Sequence, residues 1–109
     1  DYQEGGSTQA DAVAACKIFE AAGIDLLDIS GGLCGYRGDG SKIPGYFGNE
    51  SQAIREAVSV PVILTGGVRT GLAAETLLEE GKADLIGVGR SVLKDSSWAK
   101  KAFVELGIE

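Results

Sequence analysis

The sequence predicts an α/β fold with a parallel sheet, on three observations. Short aliphatic runs (IDLLDIS, VPVIL and ADLIGVG) alternate with longer stretches whose apolar residues recur at helical spacing. The aliphatic runs are apolar along their length rather than alternating, as in strands covered by helices. Glycines stand where the predicted helices stop and where the predicted strands end.

The first helix begins at STQADAVAACKIFEAAG. Ser7 or Thr8 can cap it, and Asp11 stands three residues after Thr8 in a capping-box arrangement. Val13, Cys16, Ile18, Phe19 and Ala22 supply the helical periodicity, and Gly23 is the expected stop. The strand IDLLDIS (24–30) follows. A glycine-studded segment, GGLCGYRGDGSKIPGYFGN, comes next, and irregular stretches of this length inside a domain are often functional. ESQAIREAVS reads as a second helix starting near a capping Asn49 or Ser51. VPVIL is the second strand, opened by Pro61 where a strand tolerates proline. LAAETLLEEG is a third helix, with Leu72, Leu77 and Leu78 expected on its buried side and Gly81 closing it. ADLIGVG is the third strand, and a last helix runs from about Ser97 to Leu106 with Gly107 as its stop.

Three strands form a thin sheet whose open edges would expose unpaired backbone groups beside aliphatic side chains. A portion of an eight-stranded (β/α)8 (TIM) barrel answers this better than a small doubly wound domain, because every barrel strand has two neighbours. On this reading residues 1–109 are one unit of a larger barrel, and the exposed edges predict self-association of the isolated chain.

Composition narrows the function. The net charge of −6 argues against a nucleic-acid surface, which needs clustered lysine and arginine. No apolar run reaches the roughly 18 residues of a membrane span, and no secretory signal is visible. With no histidine, and with Cys16 and Cys34 far apart, there is no metal-ligand spacing and no Ser-His or Cys-His pair. A reduced, cytoplasmic setting is the expectation.

Two corners carry the functional signal. Thr65-Gly66-Gly67 ends the second strand and Gly89-Arg90-Ser91 ends the third, each with a helix behind it. Ligands of parallel α/β folds bind at the carboxyl ends of strands, and neighbouring strands lie about 4.8 Å apart. Glycines let a backbone present amide hydrogens closely to an anion, and an arginine can add a bidentate contact. The chemistry suited to the pair is phosphate binding. Either corner alone is more often an ordinary turn, but the tandem order and spacing favour a site. No Walker-type motif is present, since EEGKAD lacks the upstream glycine loop.

The stretch VPVILTGGVRTGLAAETLLEEGKADLIGVGRSVLKDSSWAKKA resembles the C-terminal end of the old yellow enzyme family, and AAGIDLLDISGG resembles the family's helix five and strand six. The resemblance runs from Gly6 to Leu106 and is most specific in GKADLIGVGRSVLKD. It implies the C-terminal part of an FMN-dependent NAD(P)H:flavin oxidoreductase or ene-reductase on a (β/α)8 barrel, from helix five to helix eight. By that resemblance Gly66, Gly67 and Gly89 hold the FMN phosphate through backbone amides, and Arg90 supplies charge. Arg69, one residue past the amide cradle, could equally face solvent. The family's His/Asn or His/His substrate pair follows strand four and is absent here. The implied whole enzyme passes hydride from NAD(P)H through FMN to an activated alkene or similar small acceptor, while residues 1–109 alone are expected to be inactive.

Two other readings stay open: a portion of a non-flavin phosphate-binding barrel enzyme, and a small non-catalytic α/β binding domain. Asp25 and Asp28 flank the first strand, where solvation or a structural salt bridge is favoured over acid–base work. Cys34 is unassigned, with only Arg37 nearby to lower its pKa. Tyr36, Tyr46 and Phe47 could line a substrate mouth or pack the loop.

Overall fold

The computed structural model describes residues 5–30 and 44–108. Their order is α1 (Gln9–Ala21), β1 (Leu27–Ile29), α2 (Gly48–Ala57), β2 (Val62–Thr65), α3 (Gly71–Glu79), β3 (Leu85–Gly87), α4 (Arg90–Lys94) and α5 (Trp98–Glu105). The strands form one parallel sheet in sequential order, β1-β2-β3, with Asp28 opposite Ile63 and Ile63 opposite Leu85. This is the α/β architecture the sequence predicts, built from repeated strand–helix units.

Two helices start on side-chain caps. The capping box at α1 is present: Asp11 N–H donates to Thr8 Oγ1 at 3.1 Å, and Thr8 N–H donates to Asp11 Oδ2 at 2.9 Å. These bonds hold the Asp11 carboxyl below its usual range. At α3, Thr70 Oγ1 accepts from Ala73 N–H. The expected stops Gly23, Gly81 and Gly107 all have positive φ, at 103°, 76° and 73°.

The start of α2 departs from expectation. Its N-cap is Phe47, with no side-chain cap, so neither Asn49 nor Ser51 fills that role. Ser51 is instead fully buried inside the helix, where its hydroxyl donates to the Lys82 carbonyl at 2.6 Å. A buried hydroxyl must find a partner, and this one ties α2 to the approach to β3.

The helices cover one face of the sheet. Val62 and Leu64 on β2 are fully buried and divide the core into two clusters. Val62 packs with Cys16, Ile29 and Ile54, and Leu64 packs with Phe47, Val68, Leu77 and Ala83. Burying side chains of this size contributes about 1.5–3 kcal/mol each. Burial also pushes the Cys16 thiol up from its ordinary value.

On the other face, Ile63 is half-buried, Asp28 is exposed, and Leu85 is 50% exposed. The second face therefore sets the aliphatic Ile63 and Leu85 beside the polar Asp28 and Thr65, as at the interior of a barrel near its carboxyl end. Leu72 departs from expectation too: it is 58% exposed, and Leu77 carries the packing of α3. It lies at the N-terminal end of that helix, where its backbone N–H donates to the Glu105 carboxylate.

Polar ties brace the opposite, amino-terminal end of the sheet. The Asp84 carboxylate accepts from Val62 N–H at 3.0 Å and from Arg55 Nε at 2.9 Å. The Val62 N–H first, and Arg55 after it, hold the Asp84 carboxyl below the usual range. The Glu20 carboxylate accepts from the N–H groups of Ser59 and Val60, fixing the turn before β2. Among the described residues no helix is long and apolar enough to cross a membrane.

Candidate functional site

At the carboxyl ends of β2 and β3 the structure brings the two glycine corners into one cleft of about 540 Å³. Gly66 and Gly67 from the first corner and Gly89, Arg90 and Ser91 from the second all line it. The parallel register places Thr65 opposite Gly87, so the chain leaves the sheet at the same height on both strands. The turn reading and the site reading are compatible at the first corner. Gly66 and Gly67 have φ of 129° and 73°, so the turn itself needs glycine. A Cβ on Gly66 would also lie 3.0 Å from the Tyr46 ring.

Gly89 is different. Its φ is −112°, which any residue adopts, and no atom of the described residues lies within 4 Å of where a Cβ would be. Neither backbone conformation nor internal packing requires glycine there. Beneath the cleft, Gly87 is demanded by packing: a Cβ would fall on Thr65 Oγ1. That hydroxyl donates to Asp28 Oδ1 at 2.7 Å. Asp28 is therefore hydrogen-bonded across the sheet rather than salt-bridged among the described residues.

Charge is arranged against the overall balance. Three cationic side chains, Arg69, Arg90 and Lys94, line the cleft, and no described lining residue is acidic. In a chain of net charge −6 such a patch marks a place suited to an anion. Arg90 and Lys94 stand at i and i+4 on α4, on one side of that short helix. From the sequence, no separate helix is expected between Ser91 and Ser97, and Lys94 is not among the expected site residues. A helix of five residues leaves little periodic signal. Arg69, which could have faced solvent, is exposed and lines the cleft.

The corners are held to one another by side chains. Ser91 Oγ donates to the Val68 carbonyl at 3.0 Å, and Trp98 Nε1 donates to the Arg69 carbonyl at 2.8 Å. Tyr46 lines the cleft and meets Phe47 edge to face, with centroids 4.6 Å apart. Phe47 is mainly core, at 4% exposure. Cys34, Tyr36, Arg37 and most of the glycine-rich segment lie outside the described residues. Among the described residues no group of His, Cys, Asp or Glu could hold a metal ion.

Fold and cleft together define a portion of a TIM barrel with its candidate site at the carboxyl ends of the strands. A solved structure, wild-type GGGPS from Thermoplasma volcanium, matches this chain with a TM-score of 0.59 at 16% identity, covering 91% of this chain and 36% of that one. At that identity the likeness is one of fold. The chain belongs to the NADH:flavin oxidoreductase / NADH oxidase family, whose model matches residues 2–108. It is 36% identical over 106 residues to an NADPH dehydrogenase from Bacillus licheniformis, covering 97% of this chain and 31% of that protein. It is 32% identical over 108 residues to an NADH oxidase from Thermoanaerobacter brockii, covering 94% of this chain and 16% of that protein. A metal reductase from Desulforamulus reducens is 33% identical over 107 residues, with 94% of this chain and 16% of that protein covered. The chain thus spans about a third or less of the length of these relatives.

Proposed function

We propose that residues 1–109 are the phosphate-binding part, helix five to helix eight, of an FMN-dependent NAD(P)H oxidoreductase barrel. The observation that carries the reading is the cleft itself. Two glycine corners meet three cations with no described carboxylate in the lining, in a chain that is otherwise acidic. The residues fit the ligand: Gly89 leaves open space that its own backbone and neighbours do not need, as an anion drawing close to the main chain would require.

In this reading the backbone amides of Gly66, Gly67 and Gly89 donate to the FMN phosphate, and Arg90 makes the charge-assisted contact. Arg69 and Lys94 add positive potential at the rim. When bound, FMN would supply hydride transfer between NAD(P)H and a small acceptor such as an activated alkene. The part played by this chain's own residues is anchoring. They fix the phosphate end so that the remainder of the barrel can orient the ring and the acceptor. The groups that orient the ring and meet the acceptor belong, in this reading, to the rest of the barrel, so residues 1–109 alone are expected to be inactive.

The uncovered sheet face and the apolar side chains at both ends of the layer, including Phe19, Leu85 and Phe103, favour self-association when the chain stands alone. A cytoplasmic setting accords with the unpaired, buried Cys16.

The test compares FMN with riboflavin, which lacks the phosphate, in the full natural chain. The protein should purify yellow, oxidise NAD(P)H and prefer FMN, and Arg90→Ala should remove most of that preference. A colourless protein that binds phosphate but neither flavin would defeat the flavin reading and favour another phosphate-binding barrel.

A further inference from the structure

The first glycine corner does not hold its shape by itself. Its backbone passes from Gly66 to Gly71 without strand pairing to either side, and side chains from later in the chain supply the restraint. Ser91 Oγ donates to the Val68 carbonyl, and Trp98 Nε1 to the Arg69 carbonyl. A trans peptide is planar, so fixing each carbonyl oxygen fixes the plane of its peptide, including the N–H that follows. Two consecutive peptide planes are therefore set from outside the corner.

The same face of α5 continues the contact. Trp98, Ala102 and Glu105 stand at i, i+4 and i+7, the repeat of one helical stripe. Trp98 meets Arg69. Ala102 lies so close to Gly71 that a Cβ there would be 2.9 Å from the Ala102 carbonyl oxygen. Glu105 accepts from Leu72 N–H at 3.2 Å. Stations at 69, 71 and 72 are thus matched in order by stations at 98, 102 and 105. Trp98 is half-buried, packs on the Leu64 and Val68 core, and lines the cleft as well, so its ring has a packing role apart from its N–H.

From this arrangement the geometry points to α5 as a strap on the anion-binding corner, with Trp98 and Ser91 as positioning residues. They set the Val68–Arg69 and Arg69–Thr70 peptides, and with them the backbone from which the cleft-lining Arg69 side chain leaves the first corner. The inference rests on the phosphate reading and adds to it the means by which the first corner is kept ready for the ligand. Preorganised donors bind an anion better than donors that must be ordered first.

The test uses Trp98→Phe, which keeps an aromatic ring and removes the indole N–H, and the pair Ser91→Ala and Ser91→Thr. FMN and riboflavin dissociation constants are measured for each in the full natural chain, with the apo thermal midpoint as a fold control. Trp98→Phe and Ser91→Ala should each weaken FMN roughly two- to tenfold, the range of one net hydrogen bond. Riboflavin binding should be unchanged, and Ser91→Thr should retain the wild-type preference. Equal weakening of both flavins would assign these side chains to general folding and overturn the strap. An unchanged FMN preference in both variants, with that preference lost in Arg90→Ala, would also overturn it while leaving the phosphate reading standing. A wild-type protein that binds both flavins equally would remove both.

Discussion

Gly89→Ala separates folding from binding more sharply than any other single change in this chain. The native φ of −112° is negative, ψ of −78° lies just below the ordinary helical range, and apart from the chain neighbours no described atom is within 4 Å of an added Cβ. Replacing glycine restricts the unfolded chain by about 0.4–1 kcal/mol, which offsets the small backbone cost of that ψ, so the apo stability should change little. Gly89 lines the cleft, so in the phosphate reading the added methyl would hold a phosphate away from the amides of the second corner. Losing one hydrogen bond to a charged group costs about 1.5–3 kcal/mol, roughly a tenfold to 150-fold loss of FMN affinity. The two effects are read separately. Urea unfolding of the apo protein reads the first, and quenching of FMN fluorescence reads the second, with riboflavin as the phosphate-free comparison. Gly87→Ala is the control, because its Cβ collides with Thr65 Oγ1 and should destabilise the fold by about 1–3 kcal/mol. If Gly89→Ala destabilises as Gly87→Ala does, or leaves FMN affinity untouched, the reasoning about this corner is wrong.

Three further outcomes follow from the packing and the charges. Leu77→Ala should cost about 2–5 kcal/mol in urea unfolding, since Leu77 is 6% exposed and fills the space between Leu64 and Gly45. Gly71→Ala should destabilise despite alanine's better helix propensity, because the added Cβ meets the Ala102 backbone and cannot rotate away; amide exchange should then quicken in α5 first. The depressed carboxyl of Asp84 contributes stability that is fully present above the ordinary carboxylate value, about 3.9, and is lost as pH falls through the lower folded value. Asp84→Asn should therefore be less stable than wild type at neutral pH, and the gap should shrink below pH about 4; a pH-independent gap would count against that role.

Much of the fold was legible because its signals are local. The Thr8–Asp11 capping box, the glycine stops at 23, 81 and 107 and the aliphatic runs are each contained within a few residues. Both glycine corners were legible for the same reason. What the sequence hid depends on distant partners. Ser51 looks like a cap in sequence and is a buried donor to Lys82, 31 residues away. Leu72 fits the apolar stripe of α3, but its place at the start of that helix leaves it exposed. Lys94 and Trp98 carried no site signal, because only tertiary packing brings α4 and α5 over the first corner.

The polar groups divide the molecule by task. At the amino ends of the strands, Asp84 and Glu20 spend their carboxylate oxygens on backbone N–H groups, bracing the turns that lead into β2. At the carboxyl ends the polarity reverses: cations line the cleft, and the hydroxyl of Ser91 and the indole N–H of Trp98 bond carbonyl oxygens. Bonding those carbonyls keeps two acceptors occupied beside a cleft whose described charged side chains are all cationic. Asp28 and Glu105 also lie toward this end, but both are engaged, with the Thr65 hydroxyl and the Leu72 N–H, and neither lines the cleft. In the phosphate reading, this engagement of the carboxylates, rather than any one residue, lets a chain of net charge −6 offer an anion a cationic cleft.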